Sequence, residues 1–312
     1  MNYRVSDGSV GSTPSPHFIG YSGRCAWIHK FASDWAVESL ERIDKIASQW
    51  EPLTPVHVVD SSKRVMPRYV FPPAPLENGR CEFIDASIQS ASATLAEYVT
   101  DLCRKTTVNV TLLSQIVRQF YSFLVNHWDE TLMASAQYAG SSLYEKAVLT
   151  SIYASAIAVE CGYSSADVVD IGLCALIGDI GMNRVSAEKR ETERMQSPSE
   201  YREIHRHVLH TLELSRHIAG LSDKLRAVCL QIHERPNGAG YPYSLENEQI
   251  HGWAQAIAVA DAYTAMTSNQ RYRKQLIPFA AMQSLIMLSN RRALGCRFVG
   301  AMIKATSLFP IV

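Results

Sequence analysis

Apolar positions in the larger, C-terminal part of the chain recur at spacings of three and four. Over 111–128, Leu113, Ile116, Val117, Phe120 and Leu124 fall on one stripe, the period of an amphipathic helix. Over 146–160, Val148, Ile152, Ala156 and Val159 repeat the pattern. Gly162 is placed to end that helix, and Ser164 or Ser165 to cap the next, which carries Val168, Ile171 and Ala175. Residues 200–217 and the Ala-rich stretch 252–268 predict further helices. The expectation is a mainly α protein, a helical bundle that fills most of the chain. The N-terminal part reads differently. Residues 1–32 form a loose segment rich in Ser, Gly and Pro. Ser33 can cap a helix carrying Val37, Leu40, Ile43 and Ala47, and VHVVDS at 56–61 predicts a short strand. The boundaries expected are a small α+β region at 33–84, a helical connector at 85–135 and the main helical domain at 136–312.

Composition narrows the function. The chain has 312 residues, 47% of them apolar, and its 30 Lys+Arg balance 30 Asp+Glu. Zero net charge disfavours a protein that wraps a nucleic acid polymer. Seven cysteines at irregular spacing, none in C-x-x-C, predict reduced thiols rather than a disulfide framework. The first residues carry no apolar signal core, and no apolar run reaches the ~18 residues of a membrane span. The expectation is a cytoplasmic protein with no membrane partner.

Four segments carry candidate chemistry. HERPNGAGYP (233–242) joins a His-Glu pair to a Gly-rich turn, which suits either a ligand-approaching loop or an ordinary surface turn. EIHRHVLHTLELSRH (203–217) is dense in histidine, and His207 and His210 share a helical face. They are either metal ligands or solvated residues. In ALIGDIGMNRV (175–185) an apolar helix runs into Asp179, which either meets a cation or caps the next turn. In IAVADAYTAMTSNQRYRK (257–274), Asp261 lies inside a helix of small apolar residues and calls for a partner. Arg271, Arg273 and Lys274 follow as phosphate receivers or as a solvated helix end.

Taken in order, these segments resemble the HD-GYP family, the HD-domain phosphohydrolases that hydrolyse cyclic di-GMP in bacteria. The resemblance covers roughly 140–305. It runs through Gly178-Asp179-Ile180-Gly181-Met182, the helix around His207, Ile232 through Pro242, and Val259 through Lys274. It implies an HD-GYP-type bundle whose His and Asp side chains hold two or three metal ions that activate a water against the phosphodiester. It places metal ligands at Asp179, His207, His233 and Asp261. It places ligand or phosphate contacts at Tyr241, Arg271, Arg273 and Lys274, and partner contacts at Gly240, Tyr241 and Pro242.

The chain departs from the family pattern at five positions. Lys146, Gly178 and Ile232 stand where the family has metal-binding histidines. Met182 replaces a lysine, and Gln270 replaces an arginine, both substrate contacts in the family. Gly178 and Ile232 offer no donor atom, and the ammonium of Lys146 repels a cation or pairs with Asp179. The remaining donors suit one iron or manganese ion at most, and no cofactor is required. The expected function is a catalytically inactive module of cyclic di-GMP signalling that senses the dinucleotide or contacts a GGDEF-domain or other signalling protein. The alternative is a residual phosphodiesterase in which His205, His210 or His217 replaces a lost ligand. Continuous helix geometry points His205 away from His207. The oligomeric state is left open.

Overall fold

The structure is a computed structural model that describes residues 80–138, 140, 142–186, 198–269 and 275–306. The N-terminal segment at 1–32, and the helix and strand expected within 33–79, lie outside the described residues. Helix α1 (Arg80–Cys103) begins five residues before the connector boundary expected at 85. It is followed by β1 (Val108–Asn109), α2 (Thr111–Asn126), α3 (Trp128–Gln137), α4 (Leu143–Glu160) and α5 (Ser165–Ile177). A 3-10 turn at Ile180–Arg184 leads on to α6 (Pro198–His205), α7 (His207–Ser215), β2 (Ile218–Ala219) and α8 (Asp223–Gln231). Helices α9 (Gly252–Thr267), α10 (Pro278–Asn290) and α11 (Cys296–Thr306) complete the order. The protein is mainly α, as its periodicity predicts. β1 and β2 form only a two-residue parallel pair, Val108 opposite Ile218 and Asn109 opposite Ala219.

Helix α4 is the centre of the bundle. Every side chain from Val148 to Ala158 is buried, because α1, α5, α9 and α11 pack around it. Its start is fixed by a capping box, in which Ser142 accepts from the Glu145 amide and Glu145 accepts from the Ser142 amide. Tyr153 of α4 meets Tyr263 of α9 edge to face, with ring centroids 4.9 Å apart. Gly162 takes φ +76° and ends the α4 region, and Ser164 caps α5 by accepting from the Asp167 amide. The stripe of α2 is buried throughout, at Leu113, Ile116, Val117, Phe120 and Leu124. The six described cysteines are free thiols.

One expected helix is broken. The stretch 200–217 divides at Arg206 into α6 and α7. The 3-10 turn after α5 then lies directly on α7. The Gly181 amide donates to Thr211 Oγ1 (3.0 Å), and that hydroxyl donates to the Gly178 carbonyl (2.9 Å). A Cβ at 181 would lie 2.0 Å from the His207 carbonyl oxygen and 2.5 Å from the Thr211 nitrogen. Only glycine permits this approach, since the opposing atoms are backbone and cannot turn aside. Gly181→Ala is therefore expected to destabilise the chain by about 2 kcal/mol or more. A thermal melt indistinguishable from wild type would contradict that packing.

Candidate metal centre

Three chain segments meet at one carboxylate oxygen. Asp179 follows the C-terminal end of α5, His207 opens α7, and His233 lies two residues beyond α8. Asp179 Oδ1 is 3.0 Å from His233 Nε2 and 3.2 Å from His207 Nε2, and the two nitrogens are 3.0 Å apart. His207 Nδ1 donates to the Ile204 carbonyl at 2.7 Å, so the neutral ring turns its Nε2 lone pair into the cluster. That is the tautomer that ligation requires. Two imidazole nitrogens and a carboxylate oxygen suit a borderline divalent cation. Separations of 3.0–3.2 Å also match three cis ligands, each about 2.1 Å from one ion. The residues present therefore fit a single metal.

The electrostatics follow from burial and contact. Burial by itself would raise the Asp179 carboxyl, but hydrogen bonds from His207 and His233 and their charge hold it well below the usual carboxylate range. Burial by itself would lower His207, but its bond to Asp179 outweighs this and lifts it above the ordinary imidazole value. The pair is thus an ion pair at mildly acidic pH.

The Gly-rich segment folds back against the cluster. Glu234 is buried, and its carboxylate accepts the amides of Tyr243 (2.7 Å) and Leu245 (2.9 Å). The Tyr241 amide donates to the His233 carbonyl at 3.2 Å. A Cβ at Gly240 would lie 2.3 Å from the Arg235 nitrogen, so the turn closes onto its own start. The Tyr241 ring stacks on His233 (centroids 5.0 Å) and on His205 (3.6 Å). His205 therefore packs on Tyr241 and stays outside the three-donor cluster. Arg206 separates α6 from α7 with helical backbone angles, φ -65° and ψ -14°. Burial, and then the nearby His207 and His233, hold His205 below the ordinary imidazole value. His210, by contrast, lies 3.7 Å from Glu213 and takes no part in the three-donor cluster, although it is three residues from His207.

The comparisons with known proteins bear on this site. A family model described as HD domain matches residues 130–293. The chain is 28% identical over 142 residues to the cyclic di-GMP phosphodiesterase PA4108 of Pseudomonas aeruginosa, covering 46% of this chain and 34% of that protein. It is 24% identical over 159 residues to the 3'3'-cGAMP-specific phosphodiesterase 3 of Vibrio cholerae, covering 51% and 34%. Among solved structures, Bd1817, an HDG"Y"P protein from Bdellovibrio bacteriovorus, superposes with a TM-score of 0.57 at 15% identity, covering 72% of this chain and 70% of that one. The chain belongs to the HD-domain family, in its HD-GYP branch. It spans about a third of the length of these two curated relatives.

The HD-GYP positions that lack donors cluster beside the triad. Lys146, Gly178, Asp179, Ile232 and Asp261 line one recess, whose volume is about 10 Å³, the lower bound for a single water. Asp261 faces this recess rather than joining the three-donor cluster. Among the described residues no ion pair joins Lys146 to Asp179. Ile232 is buried, and Met182 is half-buried on the 3-10 turn. Gln270, Arg271, Arg273 and Lys274 lie outside the described residues. Two residues that build the site escaped the sequence reading. Glu234 holds the turn, and its only signal was the His-Glu pair itself. Thr211 pins α7 and had no local signal; His205, weighed as a replacement ligand, backs Tyr241 instead. Among the described residues no helix is long and apolar enough to cross a membrane.

The opposed shifts of Asp179 and His207 give a pH prediction for the metal-free chain. The ion pair contributes fully between about pH 4 and pH 6.5. Its contribution is lost at lower pH, as Asp179 gains a proton through its depressed value. It is also lost at higher pH, as His207 loses a proton through its raised value. Asp179→Asn is expected to be about 1.5–3 kcal/mol less stable than wild type at pH 5.5 and closer to wild type at pH 9. Thermal melts at both values check this, and an equal gap at both would count against the pair. Manganese affinity runs the other way: it should increase from pH 6 to 8 as His207 gives up its proton, measured by titration calorimetry.

Proposed function

We propose that this chain is a non-hydrolysing HD-GYP module that binds cyclic di-GMP and passes its presence to a protein partner. The carrying observation is the site's donor set: among the described residues one group of three ligands, with no further donor at 146, 178 or 232. Two-metal phosphodiester cleavage needs both the attacking and the leaving oxygen held by cations about 4 Å apart. A single iron or manganese ion at Asp179, His207 and His233 supplies Lewis-acid polarisation of a phosphate oxygen and no second clamp. What the chain's own residues retain is the means of binding. His207 and His233 present nitrogen donors, and Tyr241 is held by stacking beside them. The naming of PA4108 as a cyclic di-GMP phosphodiesterase supports the choice of dinucleotide.

The partner-facing surface in this reading is the turn at Gly240, Tyr241 and Pro242. It is half-buried, with Tyr243 next to it 57% exposed. Exposed aromatic surface on a loop pinned by Glu234 is pre-organised for protein contact. A GGDEF-domain protein fits the same signalling context. Arg271, Arg273 and Lys274 are the phosphate contacts in this proposal.

Titration of cyclic di-GMP into purified protein, with and without manganese or iron, is expected to show binding and no linear dinucleotide product on chromatography. Sustained turnover by the metal-loaded protein would overturn the non-hydrolysing reading. Absence of binding in every metal state would overturn the sensing reading.

A further inference from the structure

We propose that the centre holds one cation only, because the protein itself fills the second position: Ile232 occupies the space left by the side chain missing at 178, and the ammonium of Lys146 supplies the second positive charge. Two observations carry this. A Cβ at Gly178 would lie 2.7 Å from Ile232 Cδ1, closer than carbon atoms approach in a packed interior. The substitutions at 178 and 232 are therefore complementary in volume: one removes a side chain, and the other sends a methyl group into its place. Ile232 is 2% exposed, so this contact belongs to the core and not to a loose surface. The second observation is the recess. Lys146 lines it together with both carboxylates, Asp179 and Asp261, and its volume of about 10 Å³ leaves no room for a hydrated ion. Asp179 already has His207 and His233 as partners, so Asp261 is the recess carboxylate left to balance, and Lys146 is the cationic side chain that lines the recess with it.

The inference deepens the proposed function, since loss of the second ion is what stops hydrolysis. It does not depend on dinucleotide binding: a chain that ignored cyclic di-GMP would leave the metal count unchanged. It also makes the missing histidines a coupled set. Gly178→His alone requires the Ile232 side chain to turn aside within a buried contact, so a second ion is best provided for by changing the positions together.

The test is a metal count. Wild-type protein dialysed against manganese is expected to hold one ion per chain by elemental analysis, and the triple variant K146H/G178H/I232H two. Two ions on wild type, or none, would overturn the proposal. So would a count of one on a triple variant whose circular dichroism and melt show it folded. Lys146→Met provides a second readout that keeps the fold. Removing the ammonium should tighten the single manganese ion roughly threefold to tenfold by calorimetry. An unchanged affinity would sink the assignment of charge to Lys146.

Discussion

The structure around the site depends on one shared acceptor. Asp179 Oδ1 receives both His207 and His233, residues that lie in different helical layers. His233 is 54 residues from Asp179 in sequence, and the two imidazoles are 26 apart. A buried carboxylate is unfavourable unless it is paired, and imidazoles packed this closely need an acceptor between them. Each of the three therefore relieves a penalty that the other two would otherwise carry. This mutual dependence ties α5, α7 and the segment after α8 together even without a cation.

That arrangement needs a scaffold that brings α7 unusually close to the turn after α5. The scaffold is the contact between Gly181 and Thr211, with the Thr211 hydroxyl bonding both the Gly181 amide and the Gly178 carbonyl. The Gly-rich segment provides the third wall. Glu234 pins its backbone, and Tyr241 lies against His233 as a stacked plate with His205 on it. The family signature is thus less a set of ligands than a brace that fixes the orientation of one imidazole.

Donor chemistry and packing separate at three positions of this chain. Lys146, Gly178 and Ile232 add no ligand to the three-donor cluster, and all three line the recess beside Asp179. Ile232 meets the bare backbone at 178, and Lys146 faces two carboxylates across a water-sized recess. The core around α4 reaches the site itself, since Leu143, Lys146, Ala147 and Thr150 of α4 line the recess and Ile232 is part of the same buried cluster.

Much of this was legible in the residues alone. Helical periodicity fixed the class, and the buried stripe of α2 follows the sequence position by position. The order of the four segments identified the branch of the family, and the side-chain types at 146, 178 and 232 could be read directly. Those are local properties: side-chain chemistry and spacing within a few turns. Tertiary packing decided the rest. It stacked His205 on Tyr241, set His210 against Glu213 instead of the cluster, and sent Asp261 to the recess rather than to the three donors. It also fitted Ile232 to Gly178. No periodicity encodes these outcomes, because each depends on how close two distant backbones come, and that distance is set by the volumes of all the side chains packed between them.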